Sequence, residues 1–451
     1  MNKDDFIAAV KAAGIVGEGG AGFPAHVKYA ASADTVIANG CECEPLLHTD
    51  QHIMRHNAKS LARALRTLAD CAGNPAQPAR GVMALKKKHS EIIGLLRDAT
   101  AEQGLELFLL DDFYPAGDEQ VLVREVTGRS VPPLGIPLAV NTVVANVGTL
   151  VSVDAAVNAA QPVTRKTLTV TGAVARPGVV RAPIGAPLAD CLAACGGALP
   201  ADPVFIAGGP MMGRFVGGPQ ALARERVGKT SGGLIALPSG HPLHRNAIQE
   251  TPVMRGRARS ACIQCRFCSD LCPRRLIGHP FETHRVMRAF GGGVELETQA
   301  GELALLCCEC GICEHYSCPM ELSPRRINQA VKTGLREARK NYGGPRDICA
   351  DSQIWRDFRK IPVPRLAARL GIAPYMGLET PYLGDIEPSA VFLSLRQHIG
   401  APAQPVVRPG DKVKAGDLIA EIPENALGAR LHASIDGVVA QIGEDGIEIK
   451  R

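Results

Sequence analysis

The chain has 451 residues, a formal charge of +5 at pH 7, 46% hydrophobic residues and 21% charged ones. The length accommodates about three domains at ~150 residues each, the hydrophobic content excludes a disordered chain, and the small charge offers no basis for binding nucleic acid. Sparse aromatics (4%) with 48 glycines and 33 prolines point to several small, turn-rich modules rather than one large core.

In chain order, residues 4–13 predict a short amphipathic helix with Phe6, Ile7 and Val10 on one face. A glycine loop follows at 17–24, then a buried strand at 35–39 and a helix at 53–70 carrying Leu61, Leu65 and Leu68. A strand at 81–85, a helix at 88–102 and a strand at 105–110 continue the alternation, so residues 1–160 predict an α/β layer domain. Residues 161–240 read as a compact α+β unit, with a period-two strand at 167–172, a helix at 188–195 and a strand at 203–207. A basic, proline-containing connector is expected at about 238–260, and the segment 241–342 has helices at 280–290 and 324–340. Residues 343–388 read as a loop-rich linker whose arginines form a solvated or docking face. Residues 389–451 read as all-β, two strand–turn–strand halves similar to a biotinyl or lipoyl carrier sandwich, but without a lysine in the 425–429 hairpin to modify. No apolar run of about 18 residues and no charged, then apolar, then small-residue start is present, which predicts a soluble, cytoplasmic protein without a transmembrane segment.

Fifteen cysteines in such a chain favour metal ligation over cross-links. Eight fall in two runs: Cys262, Cys265, Cys268 and Cys272 before Pro273, and Cys307, Cys310, Cys313 and Cys318 before Pro319. A triplet at spacing three plus a Cys-Pro is the ligand pattern of two [4Fe–4S] clusters, in which the fourth cysteine of each run serves the other cluster. The expected sets are therefore Cys262, Cys265, Cys268 and Cys318, and Cys307, Cys310, Cys313 and Cys272. Structural zinc reads instead as separated pairs, and disulfides suit a secreted chain. The second run has four residues before Cys318 where three are usual, and Cys308 beside Cys307 is a competing ligand. Cys71, Cys191, Cys195 and Cys349 read as small buried hydrophobes.

Gly17, Gly19 and Gly22 fit G-x-G-x-x-G, but a helix precedes them and Phe23-Pro24 follow, which argues against an ordinary dinucleotide fingerprint. Bare backbone N–H groups would still admit a flat or anionic cofactor. The stretches Gly17–Pro24 with Lys28, Asn39–Pro45, Tyr114–Glu119 and Asn146–Thr149 together resemble, in order, the motifs of the complex I NADH-binding subunit and of the Rnf C subunit. The resemblance continues through 166–213, similar to that family's soluble-ligand-binding β-grasp module, and through the cysteine runs. It implies a multidomain α/β protein: a flavin-binding domain, a β-grasp module, a helical two-[4Fe–4S] ferredoxin-like segment and a C-terminal barrel-sandwich module. It further implies noncovalent FMN, cradled by Gly17, Gly19, Gly20 and Lys28, surrounded by Asn39, Glu42, Tyr114 and Gly117, and capped at the phosphate by Asn146 and Thr149. Phe23 would flank the nicotinamide, and Glu44 and Glu119 would contact NADH. Cys41 and Gly148 depart from the complex I pattern. The residues show no catalytic acid, base or nucleophile constellation, so binding and orientation are the expected contribution of the protein.

The sandwich lies last here, and Arg359–Arg365 follow the cysteine runs. That arrangement resembles the cobalamin reductases of propanediol-utilisation bacterial microcompartments. It implies NADH-driven reduction of cob(III)alamin or cob(II)alamin, an adenosyltransferase and shell proteins as partners, and a place inside the microcompartment. An electron-entry component of a membrane Rnf-like complex serving ferredoxin, and a scaffold with structural metal, are the alternatives.

Overall fold

The computed structural model describes residues 1–73, 77–293, 298–350 and 354–451. The first domain is built on four parallel strands, β1 (Thr35–Gly40), β2 (Arg80–Lys86), β3 (Glu106–Leu110) and, after the short β4 (Phe113–Tyr114), β5 (Thr142–Asn146). They lie in the order β3-β2-β1-β5. Runs such as Val36-Ile37-Ala38 and Val82-Met83-Ala84 are apolar without alternation because helices cover both faces. Helices α1 (Lys3–Ala12), α2 (Ala25–Tyr29), α3 (Thr49–Ala72), α4 (Ser90–Glu102), α5 (Glu119–Thr127) and α6 (Val147–Ala159) supply that cover. The chain moves outward from β1 to β3 and then returns to the other side of β1. The crevice beyond the carboxyl ends of β1 and β5 is thus a topological switch point, where open α/β sheets hold their ligands. Helix α3 starts four residues before the predicted 53 and breaks its φ/ψ at Asn57, whose Nδ2 donates to Ile53 O at 3.0 Å.

The second module is a six-stranded sheet of β6 (Arg165–Gly172), β7 (Gly178–Pro183), β8 (Pro203–Ala207), β9 (Arg214–Gly217), β10 (Gly233–Pro238) and, from far along the chain, β12 (Tyr382–Asp385). Between β10 and the first cysteine run the expected connector is instead two helices, Pro242–Ala247 and Thr251–Ala261. Proline in each first turn leaves no helix N–H wasted, and Met254 and Ala258 are one turn apart, buried against the helix Thr283–Gly291.

Residues 343–388 also depart from a loop-rich linker. β11 (Ile361–Pro362) pairs with β4, a helix runs over Val363–Leu370 with Val363, Leu366, Ala367 and Leu370 buried, and β12 extends the second sheet along β7. Arg356 and Lys360 dock on Glu125 of α5, the latter at 2.9 Å, so part of the charged face is turned inward. Cys349 is exposed, unlike Cys71, Cys191 and Cys195, which are buried as expected. The last module is the expected all-β unit. β13 (Ala390–Ser394), β14 (Gln404–Pro405), β15 (Lys412–Val413), β16 (Leu418–Glu421), β17 (Leu431–His432), β18 (Gly437–Ile442) and β19 (Gly446–Lys450) form two facing sheets, β13-β19-β18-β15 and β14-β16-β17.

Candidate functional site

The four motifs of the first domain meet at the switch point. Asn39 and Asn146 are partners in the last register pair of β1 and β5. Asn39 Nδ2 donates to Gly117 O at 2.9 Å and its Oδ1 accepts from Cys41 N–H at 3.1 Å. Asn146 Nδ2 donates to Asp50 Oδ2 at 2.9 Å, and its Oδ1 caps α6 by accepting from Gly148 N–H at 2.8 Å. The glycine loop folds over this pair. Gly17 N–H donates to Phe23 O at 2.9 Å, closing the loop, and Glu18 N–H donates to Thr149 Oγ1 at 2.9 Å, fixing it to α6. A Cβ on Gly19 would come to 3.2 Å from Asn146 Cβ, closer than side chains normally approach, while Gly20 faces open space. The loop is pinned at one edge and bare at the next, which is the cradle a flat, phosphate-bearing cofactor requires.

Acidic groups line the floor. Burial pushes the Glu42 and Asp50 carboxyls up to about 7. At neutrality they both accept and, in part, donate hydrogen bonds, a donor set suited to hydroxyl-rich groups such as a ribityl chain. Glu18 pairs with Lys166 of β6 and accepts from Ser152 Oγ at 2.9 Å. Lys28 and Glu119 form an ion pair at 2.7 Å across the mouth. Glu44, expected toward NADH, is held by the second module: its oxygens accept from Met211 and Met212 N–H, each at 2.8 Å. Tyr114 is buried, and its hydroxyl donates to Cys310 O at 2.7 Å, so this residue joins the glycine-loop domain to the cysteine segment. Phe23 is half-buried at the end of the loop.

The cysteines enclose two cavities. The inner one is lined by Cys272, Cys307, Cys308, Cys310 and Cys313. The outer one is lined by Cys262, Cys265, Cys268 and Cys318. The two triplet loops have matching backbones. Gln264 and Arg266 take φ of 55° and 67°, and the equivalent Glu309 and Gly311 take 61° and 83°. These left-handed residues turn donors inward: Gln264 Nε2 lies 3.1 Å from Cys262 Sγ and Glu309 N–H 3.3 Å from Cys307 Sγ. Hydrogen bonds to the sulfurs are among the means by which proteins set cluster potentials. The extra residue of the second run is absorbed by a π-helical turn, Cys313–Ser317, closed by Ser317 Oγ to Ile312 O at 3.1 Å, so Cys318 still reaches the outer cavity. Among the described residues no group of three or more His, Cys, Asp or Glu is placed to hold a single ion. The thiols of each set line one shared cavity, the convergence that the four ligands of a cluster require.

Sequence reading missed three contributors. Asp50 lies in the first turn of α3, where an acid reads as an ordinary dipole partner. Arg274 forms a bidentate pair with Asp118, at 2.6 and 2.9 Å, that clamps the inner cavity to α5; nothing local to either residue signals it. Lys166 reads as one more polar residue of an alternating strand.

Family models match four parts of the chain: a Nuo51 FMN-binding domain over residues 10–155, an SLBB domain over 167–215, a 4Fe–4S dicluster domain over 261–323 and an RnfC barrel sandwich hybrid domain over 384–449. The cobalamin reductase PduS of Salmonella typhimurium is 44% identical, covering 100% of this chain and 97% of its own length. That of Citrobacter freundii is 43% identical over 98% and 95%. The C component of the Na(+)-translocating ferredoxin:NAD(+) oxidoreductase complex of Acetobacterium woodii is 33% identical over 61% of this chain and 59% of its own. No helix among the described residues is long and apolar enough to cross a membrane.

Proposed function

The chain belongs to the family of the cobalamin reductase PduS, and from that premise we propose that it is an NADH-dependent oxidoreductase reducing cob(III)alamin and cob(II)alamin toward cob(I)alamin, with FMN and two [4Fe–4S] clusters as resident cofactors. The observation that carries the reading is one convergence: the glycine loop meets Asn39 and Asn146 at the switch point, and Tyr114 of the same domain holds the carbonyl of Cys310. When bound, FMN exchanges a hydride on one side and single electrons on the other, the conversion that one-electron clusters require.

The protein's part is to hold, orient and seal. Gly17, Gly19, Gly20 and Lys28 cradle the FMN. Asn39, Glu42, Tyr114 and Gly117 surround its ring and ribityl chain, and Asn146 and Thr149 close the phosphate end. Phe23 flanks the nicotinamide, with Glu44 and Glu119 on the NADH side. Cys262, Cys265, Cys268 and Cys318 hold one cluster; Cys272, Cys307, Cys310 and Cys313 hold the other. Cys308 also lines the inner cavity, where it is the competing ligand beside Cys307. Functional units at 1–160, 161–240, 241–342 and 389–451 accompany this assignment, with 343–388 as the strap between the last two. The physiological setting is coenzyme B12 recycling during 1,2-propanediol degradation, inside a bacterial microcompartment, with a cobalamin adenosyltransferase taking up the product and shell proteins nearby.

The test is anaerobic turnover with NADH and either cob(II)alamin or a ferredoxin. Formation of cob(I)alamin, followed by its absorbance or by trapping with an alkylating agent, is expected. Turnover of ferredoxin alone, together with co-purifying membrane proteins, would replace this reading with that of an Rnf-like component.

A further inference from the structure

An open cleft of about 560 Å³ lies where three modules meet: the tip of the glycine loop, the β-grasp module and the C-terminal barrel. Its volume lies within the range of small-ligand sites, ~300–1,000 Å³. The C-terminal module reaches the glycine loop directly. Ile399 N–H donates to Gly22 O at 3.1 Å, and Gly22, at φ +66°, has no Cβ to meet His398 Cα at 3.4 Å. Lys229 N–H of the β-grasp module donates to Gln397 Oε1 at 3.1 Å. The Lys229 ammonium points away, donating to Gly14 O and Arg430 O, each at 2.6 Å, and so locks the three modules together beneath the cleft.

The charge in the cleft is not balanced. Glu225 is its single acid and is taken by Arg214 at 2.6 Å. Arg226 donates to the Ala223 and Glu225 carbonyls. Arg224 and Arg396 also line the cleft, one from each flanking module, and among the described residues neither guanidinium has an ion pair or hydrogen bond. Two unpaired planar forks from two modules, in one cleft with the bare Gly20, are the kind of donor that binds the oxygens of a phosphodiester or pyrophosphate.

We propose that this cleft is a binding site for a phosphate-bearing ligand of dinucleotide or nucleotide-tailed size, with Arg224 and Arg396 as its anion contacts and the C-terminal module as one wall. This gives the unmodified barrel a function: it completes a site that the glycine loop begins. The proposal rests on the oxidoreductase reading only for the choice of probes, since both the NADH pyrophosphate and the cobalamin nucleotide phosphodiester carry the required chemistry.

The test is calorimetric titration of the FMN- and iron-loaded protein with ADP-ribose and, separately, with cyanocobalamin. Wild type is compared with Arg224→Ala, Arg396→Ala, the double variant and Arg396→Lys, with flavin content measured on each. The expected result is that at least one probe binds wild type, loses 10-fold or more in affinity in each alanine variant and more in the double, and recovers in part with lysine, at unchanged flavin content. ADP-ribose responding places the reductant's pyrophosphate in the cleft; cyanocobalamin responding places the corrinoid tail there. Equal binding by all variants, no binding of either probe by wild type, or loss of flavin without loss of probe affinity overturns the proposal. The oxidoreductase reading fails separately, if wild type does not reduce cob(II)alamin with NADH.

Discussion

The two cysteine-lined cavities share a loop geometry and differ in everything around it. The inner one is walled in by three modules. Tyr114 holds Cys310 O, Arg274 grips Asp118, and Gly311 leaves room for Met211 O, which a Cβ there would meet at 3.2 Å. Its cysteines are at most 9% exposed, apart from the half-buried Cys308. The outer one opens to solvent, with Cys262, Cys265 and Cys268 half-buried and Ile263 and Phe267 exposed on its rim. A repeated ligand pattern has thus been placed in two environments: one tied to the glycine-loop domain, the other facing whatever the protein meets.

The largest expected effects break that contrast. Cys265→Ala should remove roughly half of the iron while NADH still bleaches the flavin. Cys310→Ala should remove a similar share and lower cob(II)alamin reduction by more than 100-fold. Iron analysis and anaerobic kinetics on both variants check this; loss of flavin reduction in Cys265→Ala would show that the cavities are not separable. Next, Arg274→Ala leaves Asp118 without its partner at the sealed side, a loss of about 3 kcal/mol in denaturant unfolding. Tyr114→Phe removes one buried hydrogen bond at the same seam, costing about 1–2 kcal/mol. By contrast Phe267→Ala, on the open rim, should move stability by no more than about 0.5 kcal/mol.

A pH prediction separates the glycine-loop floor from both cavities. Burial raises the Asp50 and Glu42 carboxyls to about 7, so the fold favours their protonated forms. Their contribution to stability is full below the ordinary carboxylate range and is lost as pH rises through about 7. In the flavin-free protein, Asp50→Asn should therefore lose less stability than wild type between pH 5 and pH 8. A parallel pH dependence in the two proteins would contradict the assignment.

Much of this was legible in the chain because the constraints are local. Cluster ligands must be spaced to wrap a loop, so the cysteine runs can be read directly. Asn39 and Asn146 came from the motif resemblance alone; that both stand at the carboxyl ends of apolar strands, where the fold class locates a site, emerged only with the strand Thr142–Asn146. What escaped reading was long-range. The Tyr114 hydroxyl meets a carbonyl 196 residues away, and the cleft takes Gly20, Arg224 and Arg396 from three modules. The helices at 242–261 and the strap at 343–388 were hidden by prolines and charges, which read as breakers although they start helices and make ion pairs. The π-turn before Cys318 was visible only as an irregular spacing.

The most direct measurement is a count of iron, sulfide and flavin on anaerobically purified protein. About eight irons and eight sulfides per chain are expected, as two [4Fe–4S] clusters require, with one noncovalent FMN. Zinc in place of iron, or a sample with neither flavin nor iron absorbance, would contradict the flavin-to-cluster relay.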